Sequence, residues 1–174
     1  MRQLFLGGVR SGKSALAEAA ASACAAPVTY IATAQALDTS MQARIDTHKA
    51  RRPESWALIE EPLALAEVVQ QHSGEHRCLL IDCLTLWLSN IMFADEYNAR
   101  DAIARLESAL SSARGHIILV SSEVGLGVMP DNALAREYAD LLGELNQRVA
   151  ARCERVTMAV AGLPNVLKSG ETKA

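Results

Sequence analysis

A glycine-rich segment near the start of the chain has the residue types needed to hold the phosphates of a nucleotide. It matches the pattern G-x-x-x-x-G-K-[ST] in full, with Gly7, Gly8, Val9, Arg10, Ser11, Gly12, Lys13 and Ser14. The glycines let successive backbone N–H groups point at phosphate oxygens, and the start of a following helix reinforces that nest. Lys13 supplies a charge for the β and γ phosphates, and Ser14 offers a hydroxyl to Mg²⁺. Because an apolar run precedes the segment and an alanine-rich run follows it, we interpret it as a P-loop and not as a chance turn.

A carboxylate at the end of another apolar run, Leu79-Leu80-Ile81-Asp82, is the second feature with chemical potential. Asp82 is suited to hold Mg²⁺ directly or through water. An aspartate that merely ends a strand is common, so this interpretation depends on the P-loop. With the P-loop present, we predict Ser14 and Asp82 as metal-binding residues and Mg²⁺ as the cofactor.

A basic segment is the third feature. Within nine residues it carries five side chains that can be cationic, in a chain of net charge −3: Arg44, His48, Lys49, Arg51 and Arg52. On a helix, Arg44, His48 and either Arg51 or Arg52 share one face. A solvated basic surface is the simplest interpretation, but this local excess in an acidic chain favours an anionic ligand.

His48 in that segment is a candidate nucleophile, because neutral imidazole can attack phosphorus. A structural or surface histidine is the ordinary alternative. Neighbouring cations favour its neutral form and a nearby helix C-terminus favours the cation, so the sequence leaves the direction of its pKa open.

The elements that must position these residues follow an alternating pattern. Short β-rich runs between longer helical stretches predict a three-layer α/β fold, with a mostly parallel sheet and helices on both faces. The predicted strands are Gln3–Leu6, Val28–Ala32, Trp56–Ile59, Leu79–Asp82, Ile117–Ser121 and Val156–Val160. The predicted helices are Lys13–Cys24, Thr39–Arg51, Leu63–Gln71, Leu84–Phe93, Asn98–Ala113 and Asn132–Arg152. Boundaries between elements are predicted at Pro27, Pro53, Pro62, Pro130 and Pro164, and the end from Ser169 to Ala174 is expected to fray.

The composition indicates a single domain, 1–174, of which 50% is apolar and 21% charged. The acidic balance argues against a general nucleic-acid binder. No stretch reaches the roughly 20 apolar residues of a membrane span, and no signal-peptide pattern opens the chain. The four cysteines match neither zinc nor disulfide spacing. We therefore expect a cytoplasmic protein.

Taken together, the sequence resembles the bifunctional adenosylcobinamide kinase / adenosylcobinamide-phosphate guanylyltransferase family of cobalamin biosynthesis, over essentially the whole chain. The P-loop is shared by many families, whereas the block from His48 to Pro53 and the block from Glu123 to Pro130 are far more specific. All the shared blocks are Gly7–Ser14, Tyr30–Ala34, Arg44-Ile45, His48-Lys49, Arg52-Pro53, Ile81–Asn90, Ser122–Pro130, Asn132, Leu145–Arg148 and Ala161–Pro164.

The resemblance implies a RecA-like P-loop enzyme with two reactions. It would phosphorylate adenosylcobinamide with ATP or GTP. It would then transfer GMP from GTP to that phosphate through a GMP–histidine intermediate, giving adenosylcobinamide-GDP and pyrophosphate. The family motif places that histidine at His48. The resemblance also implies a homotrimer, and nucleotide contacts at Ala32, Thr33, Ala34, Lys49, Ala50, Arg51, Arg52, Glu60 and Asp82. The base of the kinase step stays open, with Glu123 as a candidate beside a simple role in capping a loop.

Two rival functions fit parts of the pattern. A P-loop small-molecule kinase without guanylyl transfer would use His48 only to bind substrate. A RecA-like ATPase module would use its basic helix to bind DNA or a partner protein, and would show nucleic-acid affinity with steep salt dependence. Against the second stand the acidic net charge and the lack of aromatic residues interleaved with the basic ones.

Overall fold

The chain alternates strands and helices along most of its length. The computed structural model describes residues 1–36 and 38–170, without the side chains of residues 40 and 44. The elements are β1 (Arg2–Gly7), α1 (Lys13–Ser22), β2 (Val28–Ala32), α2 (Thr39–Arg51), β3 (Ala57–Glu60), α3 (Leu65–His72), β4 (Cys78–Asp82), α4 (Leu84–Met92), α5 (Ala99–Ser112), β5 (His116–Ser122), α6 (Ala133–Arg152), β6 (Arg155–Val160) and β7 (Leu163–Ser169). Every predicted strand and helix is present, with ends that differ by at most two residues from the prediction.

The strands form one sheet in the order β3-β2-β4-β5-β1-β6-β7. The pairs from β3 through to β6 are parallel, and β7 runs antiparallel to β6. The predicted mostly parallel sheet is therefore confirmed. Because parallel strands end at the same edge of a sheet, that edge brings together the P-loop after β1, Asp82 at the end of β4 and Glu60 at the end of β3.

Both faces of the sheet are covered, because successive strand residues point to opposite sides. In β4, Leu79 and Ile81 belong to a core that includes apolar side chains of α3, α4, α5 and α6. Leu80, between them, belongs to a second core with Ala17 and Ala21 of α1. The predicted three-layer arrangement is thus confirmed. Among the described residues, no helix has the length and apolar composition that a membrane crossing demands.

The last strand is a departure from the sequence-based prediction. Pro164 was expected between elements, but it is the second residue of β7. This prediction was wrong because β7 is an edge strand whose residues are all exposed, so it lacks the continuous apolar run of the buried strands. An edge strand tolerates proline near its start, where the missing N–H is not needed by a neighbour. The predicted fraying is also wrong for Ser169, which ends β7, while residues 171–174 lie outside the described part.

Candidate active site

Two glycines shape the P-loop between β1 and α1. A Cβ on Gly7 would collide with the Ser11 hydroxyl. Gly12 is the N-cap of α1 in the left-handed region, with φ 93°, and a Cβ there would lie 3.0 Å from the Cα of Gly162. The Gly162 N–H in turn donates to the Ser11 carbonyl at 2.9 Å. The turn between β6 and β7 therefore supports the loop from behind, and the two positions require glycine.

The side chains of the loop are also suited to a bound anion. The Ser11 hydroxyl is buried without a hydrogen-bond partner among the described residues. Lys13 Nζ donates to the Gly8 carbonyl at 3.0 Å, folded back over the loop. Val9 and Arg10 are exposed at its outer side. The loop thus holds a cation and a free hydroxyl at the start of α1, where the helix dipole also favours an anion.

Asp82 lies beside this loop at the end of β4, with a side chain only 10% exposed. The Tyr30 hydroxyl donates to its Oδ2 at 3.1 Å. Burial raises the pKa of the Asp82 carboxyl, against the opposing influence of the His48 charge and of the Ser14 and Tyr30 hydroxyls. A buried carboxylate next to the Ser14 hydroxyl offers hard oxygen ligands that suit a divalent cation.

His48 reaches the same place from α2. Its Nδ1 lies 3.8 Å from Asp82 Oδ2 and 3.8 Å from Glu18 Oε1, with 37% of the side chain exposed. The pKa of His48 is raised, chiefly by the Glu18 carboxylate. Burial of the imidazole lowers this pKa, and the charge of Asp82 raises it further. The direction that the sequence left open is therefore set by two carboxylates from other elements. The ligand atoms of Glu18, His48 and Asp82 all lie within 4.8 Å of one another.

The helix that carries His48 is attached mainly through polar groups. It begins after Asp38, whose side chain accepts from the Met41 N–H at 2.7 Å. None of its described residues is buried. Its last turn contacts the body through Arg51, which pairs with Glu18 at 3.1 Å, and through Lys49, which pairs with Glu60 at 3.0 Å.

The predicted basic face is confirmed for His48 and Arg51, which both approach Glu18. The Arg44 side chain lies outside the described part of the chain. Arg52 follows the helix and places its guanidinium 4.6 Å from the centre of the Tyr30 ring. Ala50, in the last turn of the helix, is exposed. Most of the basic segment thus borders the edge of the sheet where the P-loop lies.

The predicted contacts after β2 lie at the same edge. Ala32 is the last residue of β2, and Ala34 is partly exposed two residues later. Thr33 between them is 0% exposed. Its hydroxyl donates to the Cys83 carbonyl at 2.7 Å and accepts from the Cys83 N–H at 2.8 Å. The Thr33 side chain therefore ties the end of β2 to the residue after Asp82.

Two residues of this site were not predicted as site residues from the sequence, Glu18 and Tyr30. Glu18 follows Ser14 by four positions on α1, so both lie on one helix face, and that spacing could have revealed it. Tyr30 is a buried residue of β2, and an aromatic side chain in a buried strand gave no separate signal. Glu123, the candidate base, accepts a hydrogen bond from the Gly125 N–H at 3.1 Å and so caps its own loop.

The architecture is similar to that of a solved ATPase. Over 95% of this chain and 56% of that one, the fold resembles a prototypical ATPase from the type III secretion system of pathogenic bacteria, with a TM-score of 0.56 and 13% identity. This likeness concerns the fold alone, and it agrees with the expected RecA-like P-loop architecture.

Sequence comparison gives a closer likeness. The chain is 53% identical to the bifunctional adenosylcobalamin biosynthesis protein CobP of Pseudomonas aeruginosa, over 97% of this chain and 98% of the relative. It is 37% identical to the bifunctional adenosylcobalamin biosynthesis protein CobU of Salmonella typhimurium, over 94% of this chain and 97% of the relative. The family model described as cobinamide kinase / cobinamide phosphate guanyltransferase matches residues 3–167. This chain therefore belongs to the cobinamide kinase / cobinamide phosphate guanyltransferase family.

Proposed function

We propose that this enzyme phosphorylates adenosylcobinamide with ATP or GTP and then transfers GMP from GTP to the new phosphate through a GMP–histidine intermediate on His48. The products of the second reaction are adenosylcobinamide-GDP and pyrophosphate. The observation that carries the proposal is the position of His48. Its imidazole lies 3.8 Å from Asp82, at the sheet edge where the P-loop turns into α1.

The kinase reaction needs little more than alignment of the acceptor hydroxyl with the γ-phosphate. The backbone N–H groups of residues 7–14 hold the phosphates, and Lys13 leaves the Gly8 carbonyl to pair with them. Apart from Lys13, which must turn toward the phosphates, these donors belong to the backbone and need little reorganisation to stabilise charge in the transition state.

The guanylyl transfer proceeds in two displacements. A ring nitrogen of His48 attacks the α-phosphorus, and the bond from that phosphorus to the β-phosphate oxygen breaks, so that pyrophosphate leaves with the electron pair. A phosphate oxygen of adenosylcobinamide phosphate then attacks the same phosphorus and displaces the histidine. Lys13 and the basic side chains of Lys49, Arg51 and Arg52 stabilise the charge that develops on the phosphate oxygens.

We also propose a Mg²⁺ site at Ser14 and Asp82. The fit is supported by the donor set, because a buried carboxylate and an adjacent hydroxyl are the oxygen ligands that Mg²⁺ takes together with substrate phosphates. When bound, the ion would neutralise charge on the phosphates and help to orient them. Of the remaining predicted nucleotide contacts, Ala32, Ala34, Ala50 and Glu60 are proposed in that role. Thr33 is 0% exposed, so we propose that it contributes by holding Ala32 and Ala34 in place through its hydrogen bonds to Cys83.

For the protein as a whole, we propose one domain, 1–174, that carries both reactions in the cytoplasm as a homotrimer. Support for self-association comes from the exposed apolar side chains of β7, among which Leu163 is 70% and Leu167 59% exposed. Apolar side chains clustered on an edge strand are typical of a surface that another chain covers. Light scattering coupled to gel filtration tests the trimer through its mass.

Labelling with GTP tests the covalent step. Protein incubated with α-³²P-GTP and Mg²⁺ should retain label that is stable to alkali and lost in acid, whereas γ-³²P-GTP should leave none. His48→Ala should take up no label. His72→Ala is the matched control and should label like the wild type. His72 ends α3, on the side of the sheet where the parallel strands begin, away from the P-loop. Absence of label on the wild type would favour a kinase in which His48 only binds substrate.

A further inference from the structure

Two buried polar atoms face each other beside the P-loop, and neither has a hydrogen-bond partner among the described residues. They are Nδ1 of His48 and Oε1 of Glu18, which lie 3.8 Å apart. Buried polar atoms in native proteins are nearly always paired, so an open pair of a donor and an acceptor needs an explanation. The gap exceeds a hydrogen bond by less than 1 Å, and small side-chain rotations can close it.

The Glu18 carboxylate is held in place for such a contact. Glu18 lies on α1, one turn beyond Ser14, and its side chain is only 15% exposed. Its other oxygen, Oε2, accepts from Arg51 Nη2 at 3.1 Å. Because Arg51 follows His48 by three positions on α2, one carboxylate faces both residues of that helix face. Arg51 engages one oxygen, which leaves the other directed at the imidazole.

Asp82 lies equally close to Nδ1, but its carboxylate has other partners. Its Oδ2 already accepts the Tyr30 hydroxyl at 3.1 Å, and we assign Asp82 to the Mg²⁺ site. Glu18 Oε1 has no such commitment. Glu18 Oε1 is therefore the more available acceptor for Nδ1.

We propose that Glu18 is a positioning residue for the nucleophile: it accepts a hydrogen bond from the Nδ1–H of His48 and so keeps the lone pair on Nε2 for attack on the α-phosphorus. This inference rests on the guanylyl transfer proposed above. The two ring nitrogens point in different directions, so Nε2 faces away from the carboxylate that holds Nδ1. A hydrogen bond at one ring nitrogen fixes the tautomer and orientation of the other.

The proton and charge balance supports this role. Nε2 carries no proton when it attacks, so its lone pair forms the N–P bond and no base is required. The ring then bears a positive charge, with its proton still on Nδ1, and the Glu18 carboxylate stabilises that charge. When the acceptor phosphate displaces the histidine, the electron pair of the N–P bond returns to Nε2 and the ring is neutral again. A carboxylate that orients a histidine in this way can contribute several orders of magnitude to a rate.

Rapid-quench labelling with α-³²P-GTP tests the role of Glu18. In Glu18→Gln the side chain keeps its size, but its amide can donate to Nδ1 and favour the tautomer with a proton on Nε2. We expect the maximal rate of label incorporation to fall by about 100-fold, while the GTP concentration for half-maximal rate changes by less than about threefold. Glu18→Asp, which retains the carboxylate, should recover part of the rate.

Glu75→Gln is the matched control, because Glu75 is exposed and pairs with Arg114. It precedes β4, on the side of the sheet where the parallel strands begin, away from the P-loop. It should label at the wild-type rate. A Glu18→Gln rate within threefold of the wild type overturns the proposal. So does a loss of rate accompanied by an equal rise in the half-maximal GTP concentration, since that pattern indicates a general distortion of the nucleotide site.

Nitrogen-15 NMR of the histidine side chains gives an independent readout, with His48→Ala used to assign the signal. The neutral wild-type His48 should carry its proton on Nδ1, and Glu18→Gln should move that population toward Nε2. An unchanged tautomer in the variant refutes the positioning role. The two proposals fail in different ways: a wild type without label refutes the covalent step, whereas a labelled wild type with an equally fast Glu18→Gln refutes Glu18 alone.

Discussion

Replacing Thr33 by valine tests how the end of β2 is held against the end of β4. The hydroxyl makes two hydrogen bonds to the backbone of Cys83, at 2.7 and 2.8 Å, and the side chain is 0% exposed. Thr33→Val keeps the shape but leaves the Cys83 N–H unpaired, while the Cys83 carbonyl keeps its hydrogen bond from the Trp87 N–H at 3.1 Å. The unpaired N–H costs about 2 kcal/mol and the lost hydrogen bond to the carbonyl about 1 kcal/mol, whereas the added methyl returns about 1 kcal/mol. The net loss in free energy of unfolding is about 2 kcal/mol on these figures.

Urea denaturation at fixed protein concentration measures this loss. With a slope of about 2 kcal/mol per molar urea, the midpoint should fall by about 1 M. Thr33→Ser is the matched control: it keeps the hydroxyl and loses a methyl, so its midpoint should fall by about 0.5 M. The reasoning is refuted when Thr33→Val unfolds at the wild-type midpoint, or when the serine variant is destabilised as much as the valine variant.

Three further changes have distinct expected outcomes. Partial burial acts to raise the pKa of Glu154, but its hydrogen bonds and ion pair with Arg2 outweigh this and bring that pKa to about 2. Since the carboxylate is 40% exposed, Glu154→Gln should cost only about 1 kcal/mol in urea unfolding at pH 7. The cost should vanish as pH falls from about 4.5 to about 2, and an equal cost at both ends would contradict the assignment. Gly12→Ala, at φ 93°, should lose about 1–2 kcal/mol of stability and most GTP affinity, unlike the control Gly143→Ala in α6, where a Cβ has free space. Lys13→Met should lower both reaction rates by more than about 100-fold, and full activity in that variant would remove the lysine from the site.

The parts of this site that could be predicted from sequence are those whose geometry is set locally. The P-loop needs glycine and lysine at fixed spacing because the backbone itself forms the cradle, so Gly7 to Ser14 stand out without any knowledge of the fold. The buried strands were predictable for a similar reason. A strand covered on both faces must be apolar throughout, as in Leu79-Leu80-Ile81.

The parts that could not be predicted depend on contacts between distant segments. Glu18 becomes significant only when α2 brings His48 and Arg51 to it, about thirty residues along the chain. Thr33 meets Cys83 fifty residues away, and no local pattern marks that contact. Strand β7 was missed because an exposed edge strand needs no apolar run, and its pairing with β6 is what makes it a strand.

The position of β1 in the sheet has a consequence for how the enzyme is made. Strand β1 precedes both of the strands that flank it, which are β5, from His116, and β6, from Arg155. During synthesis it must therefore wait for more than a hundred further residues before it can pair, and such distant pairings form slowly. The turn that supports the P-loop, at Gly162, is made later still. The P-loop thus leaves the ribosome well before it can take its shape, so that GTP can bind only after the residues up to Gly162 have been made.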